Sequence, residues 1–192
     1  MRHLSLLCLV FFSSLAVAQT PPTRVRGTIT SLDGDVLSVK SRDGKDLKIH
    51  LTPDVGVSTA KTTTLAELKG KYVGVTAINK DGRMTALEVH ALPPQAPPGH
   101  MPWDLQPGST MTNANLEGIA QAGGGNEITM KYKDGSQTIL VPPGTPIVAF
   151  VPGSRADLKV GETIWTSARP EAGVKLVTQR LNESKDGVKP PH

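Results

Sequence analysis

An all-β protein of two tandem OB-like barrels, each small, five-stranded and carrying one short helix, is what this sequence of 192 residues predicts. Three observations predict it. Apolar residues alternate at period two in short stretches separated by Asp-Gly turns. One short helical pattern interrupts the strands in each half. The first half also recurs in the second. Gly27, Lys40, Asp43 and Gly44 reappear as Gly118, Lys131, Asp134 and Gly135 at a constant spacing, and Ile49, Pro53, Ala66, Leu68 and Lys69 as Ile139, Pro143, Ala156, Leu158 and Lys159 one residue closer.

The elements follow in order. RVRGTITSL alternates Val25, Gly27 and Ile29 with polar neighbours and reads as a strand; Asp33-Gly34-Asp35 supplies the turn. Val36 to Lys40 is the second strand, Asp43-Gly44 the next turn, and Leu47, Ile49 and Leu51 the apolar face of a third strand that Thr52-Pro53-Asp54 is expected to end. In TLAELKG, Thr64 and Glu67 have capping-box spacing, Leu65 and Leu68 share one side, and Gly70 stops a short helix. KYVGVTAIN, the turn Lys80-Asp81-Gly82 and RMTALEVHAL complete the unit. The second half repeats the plan, with Ser154 and Asp157 in the places of the cap. The domain boundaries read as a leader at 1–18, a first barrel at 19–92, a proline-rich connector at 93–113, a second barrel at 114–183 and a loose tail at 184–192.

The leader has a basic start at Arg2, an apolar run from Leu4 to Val17 and the small-x-small site Ala16-Val17-Ala18, the pattern of a secretory signal peptide cut after Ala18. A periplasmic or secreted protein is therefore expected. No later segment approaches the ~18 apolar residues of a membrane span. Cys8 is the only cysteine and leaves with the leader, which excludes disulfides, zinc-thiolate sites and thiol catalysis from the mature chain. The formal charge of +4 falls by one with Arg2, and the remaining basic residues are scattered. With so few aromatic residues, that scatter excludes a nucleic-acid partner.

The VRGTI strand, the DG hairpin, the LAELKG helix and the strand ending in LEVH resemble a family of bacterial exported domains of unknown function with an OB-like fold. The stretch from PWDLQPGSTMTNA through KYKDG to VPPGTPIV is similar to its two-repeat subgroup, often labelled a metal ABC transporter permease. The resemblance implies fold and compartment and no established activity. The permease label conflicts with a chain that has no membrane-spanning segment after the leader.

Candidate chemistry concentrates in the connector. His100, Met101 and Met111 are soft ligands suited to Cu(I) or Ag(I), and the indole of Trp103 would shield an ion beside them. The competing reading has Met101 and Trp103 tucked onto a barrel as an apolar latch, with His100 facing solvent. His50 and His90 each end a predicted strand and form a metal pair only if the fold brings them together. The loop VPPGTPIVAFVPGSR is stiffer and more apolar than its first-half counterpart, and Ile147, Val148 and Phe150, with Trp103 of the connector, are the partner-binding candidates unless they simply cover a core. GxSxG, HExxH and SxxK patterns are absent, and the aspartates of the DG turns are explained by the turns. The expectation is a non-enzymatic binding or envelope-interaction protein, with no cofactor, that meets an envelope protein or a glycan. The alternative is a copper- or silver-binding protein using the connector. A carboxylate pair or an inter-barrel active site assembled only in three dimensions stays open.

Overall fold

The computed structural model describes residues 21–171, 173 and 175–189; the expected leader and His192 lie outside the described residues. The elements run β1 (Thr23–Asp33), β2 (Val36–Ser41), β3 (Asp46–Thr62), α1 (Leu65–Leu68), β4 (Tyr72–Lys80), β5 (Arg83–Ala91), β6 (Gly99–Pro102), β7 (Ser109–Ala122), β8 (Gly125–Tyr132), β9 (Gly135–Val141), β10 (Ile147–Pro152), a 3₁₀ turn (Arg155–Asp157), β11 (Thr163–Glu171) and β12 (Lys175–Glu183). The protein is all-β. No helix among the described residues is long and apolar enough to cross a membrane.

The first hairpins form as the alternation dictates. Val25 and Ile29 of β1, Leu37 and Val39 of β2, and Ile49 and Leu51 of β3 all point into one core. The strands pair β1 to β2 to β3 in antiparallel register. The ring is then closed from an unexpected direction. β11 pairs with β1, Val25 lying opposite Thr166, and β12 returns to β3 in parallel, from Leu176 opposite Ile49 to Glu183 opposite Thr59. The result is a closed five-stranded barrel whose strands come from both sides of the connector.

The other strands trace a second circuit, β5-β4-β7-β8-β9, which meets itself where Thr85 faces Leu140. Rather than one contiguous barrel at 19–92 and another at 114–183, each ring takes three strands from one half and two from the other. The reason lies in β3. Thr52-Pro53-Asp54 does not end the strand. The register jumps from Leu51 to Gly56 across from Thr178 and Arg180, so the proline, which cannot donate to a ladder, falls within an irregularity and the strand continues to Thr62. At 17 residues β3 is about three times the usual strand length and carries the chain out of its own ring.

The plugs are exchanged with the strands. Leu65 and Leu68 of α1 belong to the core of the second ring, with Val73, Leu116, Ile128 and Ile139. Leu158, just after the 3₁₀ turn, belongs to the core of the first. α1 is four residues long and stands on its cap: the Glu67 N–H donates to Thr64 Oγ1 at 3.2 Å while the Thr64 N–H donates to Glu67 Oε2 at 3.1 Å. β10 lies between the rings, antiparallel to β3 with Phe150 opposite Ala60, and parallel to β5 with Val148 opposite His90. The expected loose tail is partly built into the structure, since the Lys185 and Val188 backbones bridge each other and Ser184 is buried.

Candidate functional site

The connector is a strap fastened to both rings. Its early part lies on the second ring, where the Tyr72 hydroxyl donates to the Ala96 carbonyl at 3.0 Å and Asn113 Nδ2 donates to that of Pro97 at 2.9 Å. β6 adds to β7, with His100 opposite Thr112 and Met101 opposite Met111. The strap then crosses to β1 of the first ring. Arg24 lies 4.1 Å from the Trp103 ring centroid, and Asp104 takes Arg26 at 2.7 Å and Arg24 at 3.4 Å. Partial burial pushes the Asp104 carboxyl up, but the Arg26 hydrogen bond and the two guanidinium charges outweigh it and hold the group below the usual carboxylate range.

This geometry separates the proposed ligand set. Opposed residues of an antiparallel pair share a face and neighbours alternate. Met101 and Met111 therefore share one face while His100 lies on the other, its Nδ1 2.9 Å from Thr112 Oγ1. Met111 is buried, its sulfur 3.9 Å from the Thr76 hydroxyl. Among the described residues no cluster of three His, Cys, Asp or Glu side chains could hold a metal ion. His50 and His90 lie on strands of different rings. His90 is buried over Gly74, where a Cβ would come within 2.6 Å of its Nε2, so the glycine makes room for the imidazole.

The apolar loop stands elsewhere. Ile147 packs against the second core, Val148 is buried, and Phe150 is half-buried in the ladder between β10 and β3. Trp103 is half-buried beneath Arg24 of the first ring.

Ile147 and Val148 also form a wall of a hollow of about 530 Å³ where the end of β3, β5, the loop before β10 and the C-terminal turn converge. Thr62, Thr63 and Thr145 bring hydroxyls, Val188 an aliphatic surface, Glu88 a carboxylate and Lys189 an exposed ammonium at the rim. Glu88 is 5% exposed, and its Oε1 accepts a 2.7 Å hydrogen bond from the Thr76 hydroxyl directly opposite it on β4. A smaller hollow of about 350 Å³, walled by Leu65, Ile119 and Asn126, shares Thr63 and Ile147 with it.

The cavity follows from the sequence of the loop. Where β3 runs on past a single proline, the second half has Pro142, Pro143 and Pro146, three residues without an N–H. The strand there splits into β9 and β10, and the interrupted ladder leaves the hollow. Sequence reasoning missed Glu88, although an acid inside the apolar strand LEVHAL was a signal. Comparison with known protein families, with curated proteins and with solved structures gives no match.

Proposed function

We propose that this is an exported, periplasmic or secreted, non-enzymatic binding protein, and that its ligand sits in the cavity between the rings. The reading of two OB-like units descended from one by duplication, with their last two strands exchanged, belongs to the same proposal. The order strand-strand-strand-plug-strand-strand before the strap, repeated after it with the third strand divided into β9 and β10, supports it. So does the resemblance to exported OB-like domains. Export rests on the Arg2-to-Ala18 leader pattern.

The observation that carries the binding reading is the cavity itself. Its volume falls in the range of small-molecule sites, and its wall is mostly aliphatic with a few convergent polar groups. Of the described lining residues only Glu88 and Lys189 ionise, one deep and one at the rim. That composition suits holding a ligand from the envelope, such as a glycan end or a segment of a protein, more than turning one over. The test is an amide-shift titration of the full chain with envelope glycans, short peptides and small amines. Shifts at 62–63 and 145–148 that vanish in Val148→Trp, which fills the cavity, are expected; shifts confined to other surfaces would overturn the reading.

A second reading keeps the soft metal, favoured by one observation: Met101 and Met111 lie directly opposite each other. A copper or silver ion there would draw on two thioethers without His100. Titration with Ag(I) should then show binding lost in the Met101→Ala, Met111→Ala double variant and kept in His100→Ala. Binding retained by the double variant would remove it.

A further inference from the structure

We infer that the outer face of β1 and β11, where the strap crosses the first ring, docks an acidic peptide segment, independently of the cavity. Folding gathers on this face what the sequence scatters. Val25, Ile164 and Ala168 point into the first core, so by alternation Arg24 and Arg26 of β1 and Trp165 and Arg169 of β11 point outward. Trp165 lies opposite Arg26, and Arg24 lies opposite Ser167, two residues before Arg169. The strap adds Trp103 against Arg24. Both tryptophans of the chain therefore stand on one face with three guanidinium groups.

Charge sets the sign of the partner. The strap and these two strands carry three acids, Asp33, Asp104 and Glu171. Asp33 sits at the far end of β1, in the turn to β2, and Glu171 is opposed by Lys175. That leaves the Asp104 carboxylate alone among three arginines. It reaches Arg26 at 2.7 Å and Arg24 at 3.4 Å, while Arg169 is exposed and enters no ion pair among the described residues. Asp104 also shows how a partner would seat, as a chain carboxylate next to an aromatic residue and laid across two guanidinium groups. A guanidinium has five N–H donors, and Asp104 engages one nitrogen of each, so Arg24, its side chain 41% exposed, keeps donors for a second carboxylate and Arg169 for a third. Trp103 gives a ring face to Arg24 and Trp165 is half-buried, which leaves little ring for stacking bases or sugars. An acidic peptide repeats the arrangement that Asp104 already makes.

The two indoles make the test local, because the described lining of the cavity has no tryptophan. Tryptophan emission of the full chain is followed as a glutamate-rich peptide, its glutamine counterpart, a polyuronate and a single-stranded oligonucleotide are added in turn. The acidic peptide is expected to shift the emission and to bind about tenfold or more tighter than the glutamine peptide, less so as salt rises. Arg24→Ala and Arg169→Ala should each weaken it about threefold, the fold-change of one exposed charge pair. Asp104→Asn, which removes the internal competitor, should tighten it by about the same factor. Arg169 is exposed, so its variant tests the face without disturbing the fold. No emission change, equal binding of the two peptides, or binding unaltered in the Arg24→Ala, Arg169→Ala double variant would overturn the assignment. So would weaker binding in Asp104→Asn, or a tighter complex with the polyuronate or the oligonucleotide.

Discussion

The two rings close differently, and the difference locates the cavity. In the first ring the closing strand β12 runs beside β3 from Ile49 to Thr59, interrupted only where Pro53 is skipped. In the second, the equivalent contact is divided: Thr85 of β5 meets Leu140 of β9, and only after the Pro142-to-Pro146 loop do Val89 and His90 meet Ile147 and Val148 of β10. One proline is absorbed as an irregularity of a continuous strand; three prolines end it. The broken ladder leaves a hollow, and Glu88 lies on the part of β5 that spans the break. The hollow is thus placed by removing backbone donors from one seam where the other ring keeps its seam intact.

The exchange of plugs gives the sharpest way to break this comparison. Leu68, 1% exposed, plugs the ring formed mostly by the second half, and Leu158, 6% exposed, plugs the ring formed mostly by the first. Leu68→Ala should cost about 2–5 kcal/mol. In native-state hydrogen exchange it should release amides of β7, β8 and β9 before those of β1 and β2. Leu158→Ala should show the reverse order. Were Leu68→Ala to loosen β1 and β2 first, the strand exchange would be wrong.

The second prediction turns on two glycines that the repeat pairs. In β1 the register shift falls between Ile29 and Ser31, whereas in β7 it falls between Leu116 and Gly118. Residues matched in sequence therefore do not share a place in the rings. A Cβ on Gly27 would lie 2.4 Å from the Lys40 carbonyl oxygen, a backbone atom that cannot move aside cheaply, but one on Gly118 would make ordinary contacts at 3.5 Å with Thr129. Gly27→Ala should cost about 1–3 kcal/mol in denaturant unfolding and Gly118→Ala about 0.5 kcal/mol or less. Equal costs would restore the sequence pairing.

That pair shows what the sequence could and could not tell. Strands, turns and caps are local, so Val25-Gly27-Ile29, Asp33-Gly34 and the Thr64–Glu67 box were legible. Partner choice is not local. Ile164, Thr166 and Ala168 alternate in a way that suits either ring, and the choice depends on whether Thr52-Pro53-Asp54 stops β3 or bends it. The site was half legible. Ile147 and Val148 stood out as an apolar loop, while Glu88, Thr63 and Thr145 acquire their roles only from hydrogen bonds between distant segments or within a folded loop.

A third prediction concerns the buried acid of the first ring's seam and is read as a slope with pH. Glu183, 1% exposed at the closing seam of the first ring, accepts from the Thr59 hydroxyl at 2.9 Å. Burial pushes its carboxyl up, with Asp157 and Glu162 adding to the rise and Thr59 and Lys185 opposing it. A carboxyl raised in the folded state costs the fold nothing where both states are protonated. The cost grows as pH climbs from the ordinary glutamate range through the folded value. The contribution of Glu183 should fall across that window, so Glu183→Gln should gain stability relative to the wild type as pH rises through it. A difference between the two proteins that stayed constant or shrank there would contradict the assignment.

The smallest expected effect concerns the strap. Asp104 is 47% exposed, so its ion pairs are screened, but the Arg26 side chain it holds is only 11% exposed and loses its carboxylate partner if Asp104 is changed. Asp104→Asn should cost about 1 kcal/mol, less as salt rises. Trp103→Ala, which removes the ring beneath Arg24, should cost about 0.5–1 kcal/mol, and a cycle with Arg24→Ala should recover most of that as coupling. Neither change should split unfolding into two transitions, because β3 and β10 are shared seams that no change in the strap cuts. If calorimetry of Trp103→Ala shows two separate transitions, the strap rather than the shared strands makes the rings unfold as one, and the exchanged strands would be a matter of connectivity without being the source of cooperativity.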